Sequence, residues 1–242
     1  LTVIAPPGCI LNARFPAATM SRYNTAAHID AAISGCLAQA IPDRIMAQTG
    51  LQYTAKFYGR WPDGRAFGTM SIVGGGMGAL GYKDGLTGTL FPSSASNCSV
   101  EVLEQRVPVV ALEKEILTDS GGAGRWRGGC GQRVAYTLAP GQGTPVTISF
   151  SMRMIDHPAY GLLGGRSGGR GAMSLDGRAL TRRDPELMDG CLVLQPGQVL
   201  RVDVGGGGGV GDPKKRDRAL AASDLENEYI SPDAAARDYG VG

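Results

Sequence analysis

Asp119-Ser120-Gly121-Gly122-Ala123-Gly124-Arg125-Trp126-Arg127-Gly128-Gly129-Cys130-Gly131 places six glycines, two arginines, an aspartate and a serine in one short segment. Glycine is used where the backbone must take positive φ or where another group comes close. A run this dense, carrying two arginines and a tryptophan, reads as a shaped loop and not as a flexible linker. Successive exposed amides beside arginines can form an anion-binding concavity. The same residues also fit a set of tight β-turns with solvated arginines. Both readings stay open at this point.

The rest of the chain sets bounds. Its 242 residues suit one large domain or two small ones. A hydrophobic content of 43% supports a real core, and 38 glycines point to many turns and short strands. With 24 basic and 22 acidic side chains, the charge is too balanced for a nucleic-acid surface, and no aromatic-basic stripe supports one. No apolar run reaches the ~18–20 residues needed to span a bilayer. Five widely spaced cysteines, at 9, 36, 98, 130 and 191, form no C-x-x-C pair. They read as free thiols in a reducing cytoplasm, not as a disulfide framework or a zinc knuckle.

A helix is expected from Asn24 or Thr25 to Ile41, stopped by Pro42. Ile29, Ile33, Cys36, Leu37 and Ile41 give it one apolar face, expected to be buried, and its alanines permit close packing. From Leu51 the pattern alternates: a strand to Tyr58, a Pro62-Asp63-Gly64-Arg65 turn, and a returning strand from Ala66 to Val73. Val100–Arg106 reads as helix. Val107–Leu117, Gln132–Leu138 and Thr144–Met152 read as strands. Two hairpins are expected, one around Asp176-Gly177 and one joining Leu192–Leu194 to Val199–Val204 through Pro196-Gly197. Two short helices close the chain, the second starting at Ser231-Pro232-Asp233 with Ser231 as cap and ending at Gly240. The fold class is α+β: a strand-rich mixed architecture with one buried helix near the N-terminus and a short helical C-terminal tail. A sub-boundary is placed near residue 118.

Candidates for chemistry are few. The chain has two histidines, His28 and His157, too few for a self-contained His-rich metal site, so no metal is assigned. Asp156-His157, after a strand, could orient or move a proton; its alternative is a loop anchored by Pro158. Cys9 is a conceivable nucleophile, but with no histidine near it in sequence it reads as a buried structural thiol. The Gly205–Gly209 run lacks the Lys-Ser/Thr of a phosphate-binding Walker loop. It fits either an anion site or a tight interface with a partner backbone.

The opening segment resembles the DSGGAGR-x-RGG-x-G signature of the hydantoinase B/oxoprolinase family. Further segments agree in order. Pro7-Gly8-Cys9-Ile10-Leu11-Asn12 with Pro16-Ala17-Ala18 is similar to the family's PGS-[IL]-[LV]-N…PAA. Gly74 to Ala79 with Asp84-Gly85, Asn97 to Glu104, Gly161 to Gly165, Gly205 to Pro213 with Arg216-Asp217, and Ser231 to Val241 follow as counterparts of other family motifs. Cys9 and Cys98-Ser99 depart from the family pattern. The family's B-type subunits are much longer, and residues 1–242 resemble their C-terminal part. The chain opens without Met, so it is expected to be a fragment, a separately encoded piece or part of a subunit.

The resemblance implies an ATP-dependent hydrolase of cyclic amides such as hydantoins, lactams or 5-oxoproline, acting through a phosphorylated substrate. The alternative it implies is an ATP-dependent carboxylase of ketones such as acetone or acetophenone. A third reading, of another class, is a structural and assembly domain with no chemistry of its own. The resemblance further implies an A-type partner subunit that binds ATP and Mg, and a divalent metal, Zn or Mn, held in the N-terminal part of the B-type subunit. The expected particle is a cytoplasmic hetero-oligomer acting on a small molecule, with no nucleic acid or membrane, and residues 1–242 alone are expected to be inactive. Asp119, Ser120, Arg125 and Arg127, with Asp156 and His157, are the candidate site residues. The first four are expected to position and stabilise anionic species.

Overall fold

A computed structural model describes residues 2, 4–19, 25–93 and 95–241. The alternation after Leu51 forms a hairpin: β1 (Gln52–Arg60) pairs antiparallel with β2 (Ala66–Gly74), in register from Gln52↔Gly74 to Arg60↔Ala66. Its turn closes as the residues dictate. Asp63 accepts the Arg65 amide at 3.0 Å, and Gly64 takes φ +87°.

Among the described residues seven more strands follow: β3 (Val109–Ile116), β4 (Gln132–Leu138), β5 (Val146–Ser151), β6 (Ala172–Leu175), β7 (Arg178–Ala179), β8 (Cys191–Leu194) and β9 (Leu200–Asp203). They build two antiparallel sheets, ordered β2-β1-β5-β8 and β3-β4-β9-β6-β7. Inward-pointing Tyr53, Phe57, Val146, Ile148 and Leu194 of the first meet Val134, Tyr136, Leu200 and Val202 of the second in one core. Phe57 and Tyr136 touch edge to face, with ring centroids 5.5 Å apart.

The Asp176-Gly177 hairpin forms as expected, with φ +51° and +79° at the two turn residues. The second expected hairpin does not form. β8 pairs with β5, whereas β9 pairs with β4 and β6. Pro196-Gly197 therefore carries the chain from one sheet to the other. Both strands bury apolar residues on one face, so their pattern was the same as that of a hairpin.

The helices of the described residues include α1 (Ile29–Leu37), α2 (Val100–Arg106), α3 (Pro185–Asp189), α4 (Arg218–Glu226) and α5 (Pro232–Ala234, continued by a wide turn to Tyr239). Ser99 caps α2 and Ser231 caps α5, each through its side-chain oxygen. Asn24, an expected start of the first helix, lies outside the described residues. α1 packs the other way round from its apolar stripe. Ala27, Ala31 and Ala38 are buried, while Ile29, Ile33, Leu37 and Ile41 are exposed. The small side is the one that admits a neighbour: the Tyr160 hydroxyl donates to the Ala31 carbonyl at 2.6 Å.

Against the sandwich lies a second body built largely of backbone, with a small apolar cluster of Ile45, Ala47, Ala79 and Val210 beside it. Its axis is the Gly205–Val210 segment. The Gly206 and Gly209 amides donate to Gly169 and Arg166; those of Gly207 and Val210 donate to Gly129 and Trp126; that of Gly208 donates to Gln48. The Gly205 and Gly208 carbonyls accept from Gly76 and Ala79. Partners thus recur every three residues, the period of a polyproline-II-type helix, which makes no internal hydrogen bonds and offers its amides outward. The surrounding segments carry glycine because nothing else fits: a Cβ at Gly76 would overlap the Gly129 carbonyl oxygen.

Candidate functional site

The DSGG segment runs along this glycine bundle, and its polar atoms are engaged. Asp119 sits at φ +63°, donates its amide to the Tyr229 carbonyl at 3.0 Å, and accepts the Ser231 amide at 2.8 Å. The Ser120 hydroxyl donates to the Leu117 carbonyl at 2.5 Å and accepts the Gly131 amide at 2.9 Å. Arg127, 3% exposed, donates to the Gly128 carbonyl and lies 3.1 Å from the Asp224 carboxylate, with its guanidinium 4.8 Å over the Tyr229 ring.

Asp84 accepts the Arg127 amide at 2.7 Å and the forked Arg216 guanidinium at 2.8 Å on each oxygen. Arg216 also donates to Asp224 at 2.6 Å. Two buried arginines and two carboxylates therefore form a formally neutral quartet between bundle and tail. Burial, the largest single effect, works against the Arg216 charge, but the hydrogen bonds and charge of Asp84 together with the charge of Asp224 raise its pKa on balance. Asp84, Arg216 and Asp224 escaped sequence reasoning as partners of Arg127. The order of the acidic and basic motifs was visible, but not which of them would meet.

Arg125 points elsewhere. It is exposed, lies 5.7 Å over the Trp126 ring, and lines an open groove of about 550 Å³ with Lys215, Asp217 and Leu220.

Asp156 and His157 occupy a third place. With His28 they line a pocket of about 330 Å³, bordered also by Gln48, Arg153 and Arg182. The fold thus brings both histidines of the sequence to one pocket. Arg182 donates through Nε to the Asp156 carboxylate at 2.8 Å. Met154 in the lining sits at φ +60°, a strained conformation for a residue with a side chain. Gln48 fixes the state of His28: its Oε1 accepts the Tyr160 amide at 3.2 Å, which turns its Nε2 donor toward His28 Nδ1 at 3.3 Å. The imidazole is then neutral with its proton on Nε2. Burial, helped by the nearby Arg153 charge and opposed by Asp30, lowers its pKa.

Among the described residues, no group of three or more His, Cys, Asp or Glu side chains could hold a metal ion. No helix among them is long and apolar enough to cross a membrane.

The DSGGAGR segment thus runs along the glycine bundle that braces the antiparallel sandwich. The hydantoinase B/oxoprolinase family model matches residues 1–213, and the chain belongs to that family. It is 30% identical, over 98% of its length, to the caprolactamase subunit beta of Pseudomonas jessenii, and spans 42% of that relative. The solved structure of the ATP-dependent caprolactamase from Pseudomonas jessenii is similar at TM-score 0.64 and 27% identity, over 85% of this chain and 37% of that one. The nucleotide-free structure of acetone carboxylase shares the fold at TM-score 0.63 and 19% identity, over 85% of this chain and 32% of that one.

Proposed function

We propose that this chain is part of the B-type subunit of an ATP-dependent cyclic-amide hydrolase. The observation that carries the reading is the 30% identity to a caprolactamase subunit beta across 98% of the chain. The likeness to acetone carboxylase, at 19% identity, extends to the fold alone, so the ketone carboxylase stands second. An amide carbon is a poor electrophile. Moving a phosphoryl group from ATP to the lactam oxygen activates the carbon. Water adds to it, and the C–N bond breaks with the nitrogen leaving as the protonated amine to give an acyl phosphate. A second water at that carbon releases phosphate carrying the original oxygen. ATP and Mg belong to an A-type partner in this reading, and a divalent metal, Zn or Mn, to the part of the subunit beyond these residues. The complex is a hetero-oligomer. Five unpaired cysteines fit a reducing cytoplasm.

Within this chain the candidate residues divide the work by position. Ser120 and Arg127, buried and engaged, hold the segment in shape, and Asp119 ties it to the tail. Arg125, Asp156 and His157 are exposed and remain the candidates for meeting a ligand or partner.

The test is turnover by the complex reconstituted with its A-type partner, on a lactam, a hydantoin, 5-oxoproline, and acetone with bicarbonate. With an ¹⁸O-labelled lactam carbonyl, the label is expected in the released phosphate. Label remaining wholly in the ring-opened product, or ATP consumption coupled only to ketone and bicarbonate, overturns the reading.

A further inference from the structure

The open groove beside Arg125 has a fixed floor. Its volume is about 550 Å³, and Arg125, Trp126, Lys215, Asp217, Ala219 and Leu220 line it. The Trp126 amide and carbonyl both bond to Val210 in the glycine bundle, at 3.0 and 2.9 Å. The Arg125 carbonyl accepts Arg216 of the buried quartet at 3.1 Å, and its amide donates to the Gly211 carbonyl at 3.2 Å. The wall that carries Arg125 and Trp126 is therefore tied to both bundle and quartet before anything binds.

We propose that this groove docks an acidic segment of the A-type partner subunit, one that carries an aspartate or glutamate beside an apolar side chain. The carboxylate lies between Arg125 and Lys215, and the apolar group lies on Trp126 and Leu220. The inference rests on the reading that this chain works with such a partner. Three observations support it. First, among the described residues neither Arg125 nor Lys215 forms an ion pair. Asp217 is the one acidic residue of the lining, and it caps α4 by accepting the Ala219 amide at 2.7 Å. The exposed charges of Arg125 and residues 212–218 are four positive and two negative, which calls for an acidic complement. Second, the Arg125 guanidinium lies 5.7 Å over the half-buried Trp126 ring. A guanidinium held against an indole loses less freedom when it takes up a carboxylate, and arginine and tryptophan are the residues that anchor protein interfaces. Third, a concentration of exposed apolar residues, Ile10, Phe15 and the α1 stripe of Ile29, Ile33 and Leu37, lies outside this groove. Surface of that kind suits permanent burial within one subunit. A charged groove with an aromatic base suits a partner that folds separately and meets it from water.

The full subunit in complex with its A-type partner is treated with a water-soluble carbodiimide, which joins an ammonium to a carboxylate in contact with it. Mass spectrometry of the linked peptides is expected to show Lys215 joined to an aspartate or glutamate of the A-type partner. Lys215 joined only to carboxylates of its own subunit, or to none, overturns the assignment. Calorimetry gives a second measure. Arg125→Gln combined with Lys215→Gln is expected to weaken association of the two subunits about tenfold at low salt, and about 0.5 M salt should close most of that gap. Unchanged affinity in this variant overturns the groove as a docking site. Neither measurement needs turnover. A complex that forms the link yet opens no lactam breaks the activity reading alone, and one that opens lactams without the link breaks this inference alone.

Discussion

The sandwich and the glycine bundle bury their backbones by opposite means. In the sandwich, strands pair edge to edge and side chains such as Phe57, Tyr136 and Ile148 fill the space between sheets. In the bundle, the chain itself is the filling: each amide of the Gly206–Val210 run reaches a carbonyl on a neighbouring segment with no side chain between. A side-chain core can lose a methyl group and relax in part. A backbone core has nothing to yield, because adding one carbon displaces a peptide plane and the hydrogen bonds on both sides of it.

The sharpest way to break that comparison is one methyl group in each body. Gly206→Ala places a Cβ on the Ser120 carbonyl oxygen and is expected to cost about 5 kcal/mol or more, enough to unfold a domain of ordinary stability. Gly68→Ala, on β2 with open space around the added carbon, is expected to stay within about 0.5 kcal/mol of the parent. Urea midpoints measure both. Equal, small effects would mean that the bundle adjusts as a side-chain core does.

Next in size is the quartet that joins the bundle to the tail. Arg216→Met leaves Asp84 and Asp224 without their shared partner and is expected to destabilise by about 3–5 kcal/mol, the usual result of orphaning a buried charge. Arg216→Lys should recover little, since a single ammonium cannot reproduce the fork on Asp84. A smaller loss, with the tail still protected from proteolysis, would show that α4 and α5 are held by their apolar contacts instead. For the sandwich the matching change is Ile148→Val, expected to cost about 1 kcal/mol and to shift the thermal midpoint without altering its cooperativity.

The two bodies were also unequally legible. Strands β1, β2 and β4 could be read within a residue or two, because alternate burial of apolar residues is the physical cause of their pattern. Glycine carries no such signal. Its three-residue period exists only in hydrogen bonds to segments distant in sequence, so the Gly205–Gly209 run could be seen as important but not as the axis of a bundle. α1 shows the limit of periodicity itself. The stripe of Ile29, Ile33 and Leu37 was visible, yet the alanine face is the one turned inward, where Tyr160 comes close. The site was legible in its residues and not in its grouping. His28 and His157 are 129 positions apart in sequence, and only the fold brings them to one pocket.

The smallest expected effect lies where bundle and pocket meet, at Gln48. Its carbonyl accepts the Gly208 amide at 2.8 Å, while its side chain holds His28. Protonating His28 would set a ring N–H against the Gln48 amide donor, so the folded state resists the proton, in line with the lowered pKa of His28. The unfolded chain then binds the proton more readily than the folded one, and stability rises with pH in that interval. This contribution is full above the ordinary histidine value of 6.5 and is lost as pH falls from there through the lowered folded value. His28→Asn removes the titrating ring, so the difference in urea midpoint between pH 7.5 and pH 5 should shrink relative to the parent. The charged groups around the ring, Arg153, Asp30, Asp156 and Arg182, are unchanged in that variant and serve as its internal control. An undiminished pH dependence would assign the proton to another group.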